Sequence, residues 1–498
     1  MMIDDDDIDV AAPAPKQRIS ARAAALIGAR TAAGLIGVGI AVVLVLAATF
    51  LPLPTVKAVP PGERITPVPT AQQLVCPGAA LRLANDFGQR ATEPSPIGAP
   101  ATQFASSSGP IDSRAFTQSD ASTGHTAAAP STISAPPNQA EAGKQILLSG
   151  AQAQSVSEAE FVGLAAADCA VANGDAWLVG GSTSVGRTTL LTLDNPSEVA
   201  STVTLELFGE SGPIVAPGTS GIIVPPNGQR VLSLAGFKRD VASPVVHVMS
   251  TGGQILANLQ QSTVRGLAPG GFDIFGPTTS PSTENVIPGL LVTDVVEVQN
   301  LQVGGESFND LPPSLRLFAP GEGTVATTVN VVPENGQGTG ASLSLDVEAG
   351  RVVDLPIADL DTGSYTVKVS SKQPLVAAVR VSSAKGAAND FAWLAATPDL
   401  SARAQFTVAP GPGPILHLSN PGKSDETVRL TARSGGRMDV TVPAGASVAV
   451  AVTPSTTYEL TGFEELFGAV TFTDGNGGIA RYGLHPPGAG STPIRVYS

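Results

Sequence analysis

Three stretches decide how this chain is read: LLTLDNPSE from Leu190, LRLFAPGEG from Leu315 and ILHLSNPGK from Ile415. In each, leucine-rich alternation runs into a proline set among small residues, at Pro196, Pro320 and Pro421. A period of two half-buries a strand, and Asn-Pro or Ala-Pro then ends it and reverses the chain.

Three further landmarks follow each stretch in the same order. A partner strand comes next, STVTLELFG from Ser201, TVATTVNVV from Thr324 and ETVRLTARS from Glu426, which the short turn predicts to close a hairpin. An apolar run broken by a glycine turn comes third, around Gly228, Gly350 and Gly445, lying 32, 30 and 24 residues after the turn proline. A second hairpin is expected from VVHVMSTGGQILANLQ at Val245, YTVKVSSKQPLVAAVRV at Tyr365 and FGAVTFTDGNGGIARYGL at Phe467. Four landmarks in one order, three times, indicate a repeated β unit. Acid-plus-aromatic segments, Asp175/Trp177, Asp273/Phe275 and Asp390/Trp393, recur near the unit joins, where packing is their expected role and exposed binding aromatics the alternative.

Each repeat has the length and turn frequency of a small immunoglobulin- or fibronectin-like β-sandwich, although the cysteine-tryptophan-cysteine pattern of a true immunoglobulin domain is missing. No long amphipathic helix alternates with the strands, which argues against a parallel α/β fold. The whole chain of 498 residues, rich in glycine (54) and proline (42), is too long for one core and fits several modules of short strands. Its formal net charge of -14 disfavours nucleic acid, because phosphate binding needs clustered Lys and Arg.

From Thr31 to Val56 there is no charged residue, and GLIGVGIAVVLVLAATFL within it is apolar enough to cross a bilayer before Pro52 and Pro54 stop it. Lys16, Arg18, Arg22 and Arg30 precede the run, whereas only Lys57 and Arg64 follow closely, so the N-terminus is expected in the cytoplasm and the remainder outside. A cleaved signal peptide with small residues around Val56-Lys57-Ala58 is the rival reading. The acids Asp4 to Asp7 and Asp9 read as a solvated tail, since they lack the spacing of a calcium loop. Gly34, Gly37 and Gly39 lie inside the apolar run with no strand before them, so they do not form a dinucleotide loop.

The expected plan is mainly β, with a cytoplasmic tail at 1–30, a membrane helix at 31–53 and a juxtamembrane segment at 54–92 that lends one strand to the first module. A low-complexity linker or loop, disordered by composition, follows at 93–157, then modules at 158–280, 281–398 and 399–498. The two cysteines, Cys76 and Cys169, are expected either to form a disulfide in an oxidising space or to remain two idle thiols. By the loop-entropy account, closing so long a loop adds roughly 4 kcal/mol.

No catalytic constellation is legible. His125 sits in the linker, His247 and His417 in repeated strands, and His485 before two prolines, none with a metal partner at short spacing. Walker and Gly-x-Ser-x-Gly patterns are missing, and no cofactor or metal is called for. Asp194, Asp354, Asp359, Asp361, Glu464 and Glu465 read as acids at strand ends, and Asp474-Gly475-Asn476-Gly477-Gly478 as a hairpin loop before a calcium site.

The segment VCPG at Val75–Gly78, the later Cys169 and the repeated Leu-x-Leu-x-Asn-Pro strand ends resemble an actinobacterial family of membrane-anchored envelope proteins known only as a domain of unknown function. That resemblance implies a cell-surface location and brings no catalytic residues. The expected function is a non-catalytic envelope scaffold or binding module whose partners are the bilayer, through residues 31–53, and an unidentified envelope protein or glycan. An accessory subunit of an envelope-assembly enzyme and a carboxylate-based glycan hydrolase are the alternatives.

Overall fold

The computed structural model describes residues 62–65, 71–487 and 494–497, apart from gaps at 84–91, 122–127, 137–145, 159–160, 304, 306–307 and 337. The expected tail and membrane helix, and His125, lie outside the described residues. Among the described residues no helix is long and apolar enough to cross a membrane. Strands Gly62–Ile65 and Ile494–Tyr497 pair antiparallel as a small unit of their own.

The rest is mainly β, and one order of pairing recurs over residues 175–275, 282–395 and 400–483. In the second group the strand Gly363–Lys385 runs through two sheets. Its first half pairs with Ser282–Val292 and Thr324–Pro333, the latter carrying Ala341–Glu348 on its far side. Its second half pairs with Ser314–Phe318 and Ala388–Ala395, and Ser314–Phe318 also pairs with Val352–Pro356. The third group repeats this around Thr457–Thr473. In the first group the long strand is split at Gly252-Gly253 into Val245–Thr251 and Leu256–Arg265.

Alternation explains the inward faces: Val203, Leu205 and Leu207 are buried on one side of Ser201–Gly209, as Val428 and Leu430 are on Glu426–Ala432. The pairing itself departs from the sequence expectation. Arg187–Asn195 and Ser201–Gly209 form no hairpin; they belong to different sheets, and their counterparts likewise do not pair with each other but lie in the two sheets that the long strand joins. The proline turn is therefore an arch across the core. Fully buried Asn195 holds it by donating from Nδ2 to the carbonyls of Val199 (2.8 Å) and Val224 (3.1 Å) while its Oδ1 accepts from the Ser197 amide. Asn420 does the same with Ser424, Val442 and the Gly422 amide. Likewise, the sequence from Tyr365 lies in one long strand passing from one sheet to the next, and the one from Val245 makes the same passage as two strands in different sheets, whereas the one from Phe467 does close a hairpin onto Ile479–Gly483. Alternation reports which face is buried and says nothing of which strand lies alongside.

Residues 93–157, expected as spacer, contain the strands Ala101–Ser106, Asp112–Ala115, Ser131–Ala135 and most of Leu148–Glu158. A few scattered large side chains, Ile97, Phe116, Ile133 and Leu147, are buried there together with small ones such as Ala151 and Ala153. Glutamines supply the missing ladder. Gln152, Gln154 and Gln260 each accept a backbone amide of Gly78, Ala80 or Leu81, at 3.2, 2.9 and 2.7 Å. Gln152 and Gln260 also donate to the carbonyls of Gly78 and Leu81. Cys76 and Cys169 form a disulfide that fixes the strand Gln72–Cys76 beside the end of Phe161–Asp168.

The last strands of the three groups, Ala268–Phe275, Ala388–Ala395 and Ile479–Gly483, converge with Phe161–Asp168. At their meeting point Asp390 accepts amide hydrogens from Phe272 (3.0 Å), Leu164 (2.8 Å) and Ile479 (3.3 Å). Beside it Asp273 accepts the amide of Trp393 at 2.7 Å. Gly271, at φ +97°, permits the approach: a Cβ there would stand 2.3 Å from Asp390 Oδ1. The apolar cores merge as well, because Phe318, Phe391 and Trp393 join the core around Trp177 and Leu205. Asp390→Ala strands three buried amides and should lower the unfolding free energy of the chain, followed in urea, by about 3 kcal/mol or more; a loss under about 1 kcal/mol would show that the junction is not held this way.

Candidate functional site

Between the first and second groups lies a cavity of about 430 Å³ lined by Arg187, Arg316, Arg380, Asp310 and Asp354, with Gln261 and several serines. Rigid strands carry the arginines: Arg187–Asn195, Ser314–Phe318 and Gly363–Lys385. Arg316 is 3% exposed and fully engaged. It holds Asp354 by two bonds of 2.8 and 2.9 Å and donates to the carbonyls of Gly181 (2.9 Å), Pro244 (3.1 Å) and Ala242 (3.2 Å) across the junction. Its guanidinium also lies 4.6 Å from the Trp393 ring centroid. Burial opposes ionisation of Asp354, but Arg316 and Ser243, which donates to it at 2.6 Å, hold the carboxyl below the usual carboxylate range.

A second cluster gathers on Asp310. Arg187 donates to it at 2.9 Å, Arg265 approaches at 2.8 Å, and Nη2 of Arg380 stands 3.6 Å away. Arg380 Nη1 donates to the Asp310 carbonyl and to Ser382, while Nη2 makes no hydrogen bond. Burial pulls Arg380 down to about 10, against the pull of Asp310. Burial pushes the Asp310 carboxyl up, yet Arg380, Arg265 and Arg187 outweigh it and keep the group below its ordinary value. The side chain of Arg380 is 7% exposed, whereas Arg187, Asp310 and Asp354 are 18%, 32% and 35% exposed, so the cationic floor opens to solvent past an acidic rim.

The other sequence candidates take different places. His417 is sealed from solvent between Glu334 (2.5 Å) and Thr471 (2.8 Å). That acid-imidazole-hydroxyl row joins the second and third groups and offers no path for a substrate. His247 sits between Asp175 (2.9 Å) and Glu206 (3.0 Å) and stacks on Trp177, and His485 pairs with Asp168. Asp194 is wholly buried, which pushes its carboxyl well up, while Asp359, Asp361, Glu464 and Glu465 are exposed. Asp474 accepts the amides of Asn476 and Gly478, a turn closed by its own side chain. Among the described residues no group of three or more His, Cys, Asp or Glu is placed to hold a metal ion. Of the acid-aromatic pairs, Asp273/Phe275 and Asp390/Trp393 are buried at the junctions.

The arginines were missed in the sequence. Their signal is an arginine at an inward position of an apolar strand, as in LRLF and VAAVRV, in a chain with only 28 Lys and Arg.

Strands meeting around a polar cavity describe a β-rich protein whose fold admits many functions. The chain belongs to a family of unknown function (DUF5719), which matches residues 119–453 and so includes every arginine of the cavity. No curated protein and no solved structure matches the chain.

Burial, the largest cause, pushes Asp273 up to about 7 against the amides of Trp393 and Ile274 and the charges of Arg481 and Arg380. A carboxyl raised above its unfolded value near 3.9 contributes stability that is complete below about pH 4 and is lost as pH rises through about 7. Urea unfolding should therefore show stability falling over that interval. In Asp273→Asn the fall should shrink, even though overall stability drops with the lost acceptor for the Trp393 amide; equal slopes in the two proteins would contradict the assignment.

Proposed function

We propose that the chain is a non-catalytic binding protein of the cell envelope, held in the membrane by residues 31–53 with its N-terminus in the cytoplasm. Its outer part presents three tandem β-sandwich modules of immunoglobulin or fibronectin kind, at 158–280, 281–398 and 399–498. The apolar, charge-free run of the N-terminal segment and the excess of basic residues before it support the topology. The recurring two-sheet pairing supports the module reading.

The observation that carries the binding role is the cavity between the first two strand groups. Its guanidiniums, Asp354 and Gln261 are held on strands locked by Arg316 and Trp393, and Asp310 stands on a turn beside them. Preorganised polar groups of this kind favour binding because little freedom is lost when a ligand arrives. None of the described histidines lines it, and the partners that suit the reading are an envelope protein or glycan.

Protease treatment of intact cells carrying the chain with a cytoplasmic N-terminal tag should remove the C-terminal region and leave a small tagged membrane fragment. Full protection would overturn the orientation. Purified full-length protein should retain envelope material without converting it, and turnover of an envelope glycan that a single substitution abolishes would sink the non-catalytic reading.

A further inference from the structure

We propose that the cavity between the first and second strand groups binds one compact oxyanion, a phosphoryl or carboxyl group, through Arg380 on its floor and Arg187 at its mouth. The inference rests on reading this cavity as the ligand site, and it names the ligand's chemistry.

Arg380 carries the argument. It is 6% exposed, lines the cavity, and has one terminal nitrogen with no hydrogen bond, 3.6 Å from the nearest carboxylate oxygen. A buried N–H without an acceptor costs on the order of 1–3 kcal/mol, so the arrangement is maintained at a cost that an arriving oxygen would remove. The lowered proton affinity of Arg380 and of Arg265 behind it records the same desolvation. Arg316 is not a candidate, since five hydrogen bonds to Asp354 and three carbonyls fill its fork.

Asp310 marks the kind of group the site accepts. One carboxylate already engages Arg187, Arg265 and Arg380, and the remaining space lies beside it. Planar guanidiniums match the paired oxygens of carboxylate and phosphate better than any other common group. A cavity of about 430 Å³ has room for such a group with part of the residue bearing it. The net charge of -14 sets the limit on the ligand. It repels an extended polyanion and leaves a single anionic group, either free or as a substituent on an otherwise neutral glycan.

The test is calorimetric titration of the full-length chain at low ionic strength with inorganic phosphate, acetate, a sugar phosphate, a uronic acid and the neutral parent sugar. Wild type should take up at least one of the anions saturably and ignore the neutral sugar. Arg187→Gln, at the partly exposed mouth, should weaken that binding about tenfold or more, the scale of one charge-assisted hydrogen bond. Asp310→Asn removes the internal competitor and should tighten it about as much. Tighter binding of the sugar derivatives than of the free ions would assign the source to a glycan substituent, and the reverse to a free anion. The proposal is overturned if neither wild type nor Arg187→Gln shows saturable uptake of any anion, or if Arg187→Gln binds as wild type does. Turnover of the sugar phosphate with the same dependence on Arg187 would confirm the anion site while overturning the non-catalytic reading.

Discussion

Three sets of antiparallel strands can end against one another only if the backbone amides facing the meeting point find acceptors away from water. Two aspartates supply them. Asp390 takes an amide from the first group, one from the third and one from Phe161–Asp168, and Asp273 takes that of Trp393 in the second. Each carboxylate serves backbone donors from elements far apart in sequence, so neither strand end is satisfied unless its neighbours are in place. The merged cores around Trp177, Phe318 and Trp393 follow from that closeness. The cavity does too, because its arginines come from two groups that the same contact holds in register.

Polar side chains repeatedly take over backbone roles in this chain. Asn195 and Asn420 complete the arches, glutamines stand in for a strand beside residues 78–81, and Arg316 caps three carbonyls of the first group. Aromatic residues make only 4% of the composition, which limits how much stability large rings can provide. Buried, fully bonded polar groups give orientation instead, since a displaced partner leaves a group unsatisfied. Rigid presentation of a polar cavity is the functional consequence.

Much of this was legible in the sequence. Alternation at Leu190, Leu315 and Ile415 placed strands, and the prolines after them placed the chain reversals. What periodicity cannot carry is partnership: Arg187–Asn195 and Ser201–Gly209 look like a hairpin, yet the buried asparagine between them sends the chain to the opposite sheet. The alanine- and serine-rich stretch before residue 157 reads as spacer because its large apolar residues are few and widely spaced. Its strands pack through small side chains, glutamine bonds, the Cys76–Cys169 bridge and a few buried residues such as Ile133 and Leu147 that are too scattered to leave a hydrophobic period. Asp390 and Trp393 read as join residues, but the three amides converging on one carboxylate belong to tertiary structure alone. Arg316 and Arg380 stood in plain view as charges at inward positions, and their convergence on Asp354 and Asp310 needed the fold.

The central claim is that the three strand groups are one cooperative body closed at Asp390. Native-state hydrogen exchange of the full-length chain tests it most directly, read at the amides of Leu164, Phe272, Trp393 and Ile479. The account predicts that all four open together, with one free energy and one denaturant dependence. Independent opening of any one group, with its junction amide exchanging early while the others stay protected, would contradict it.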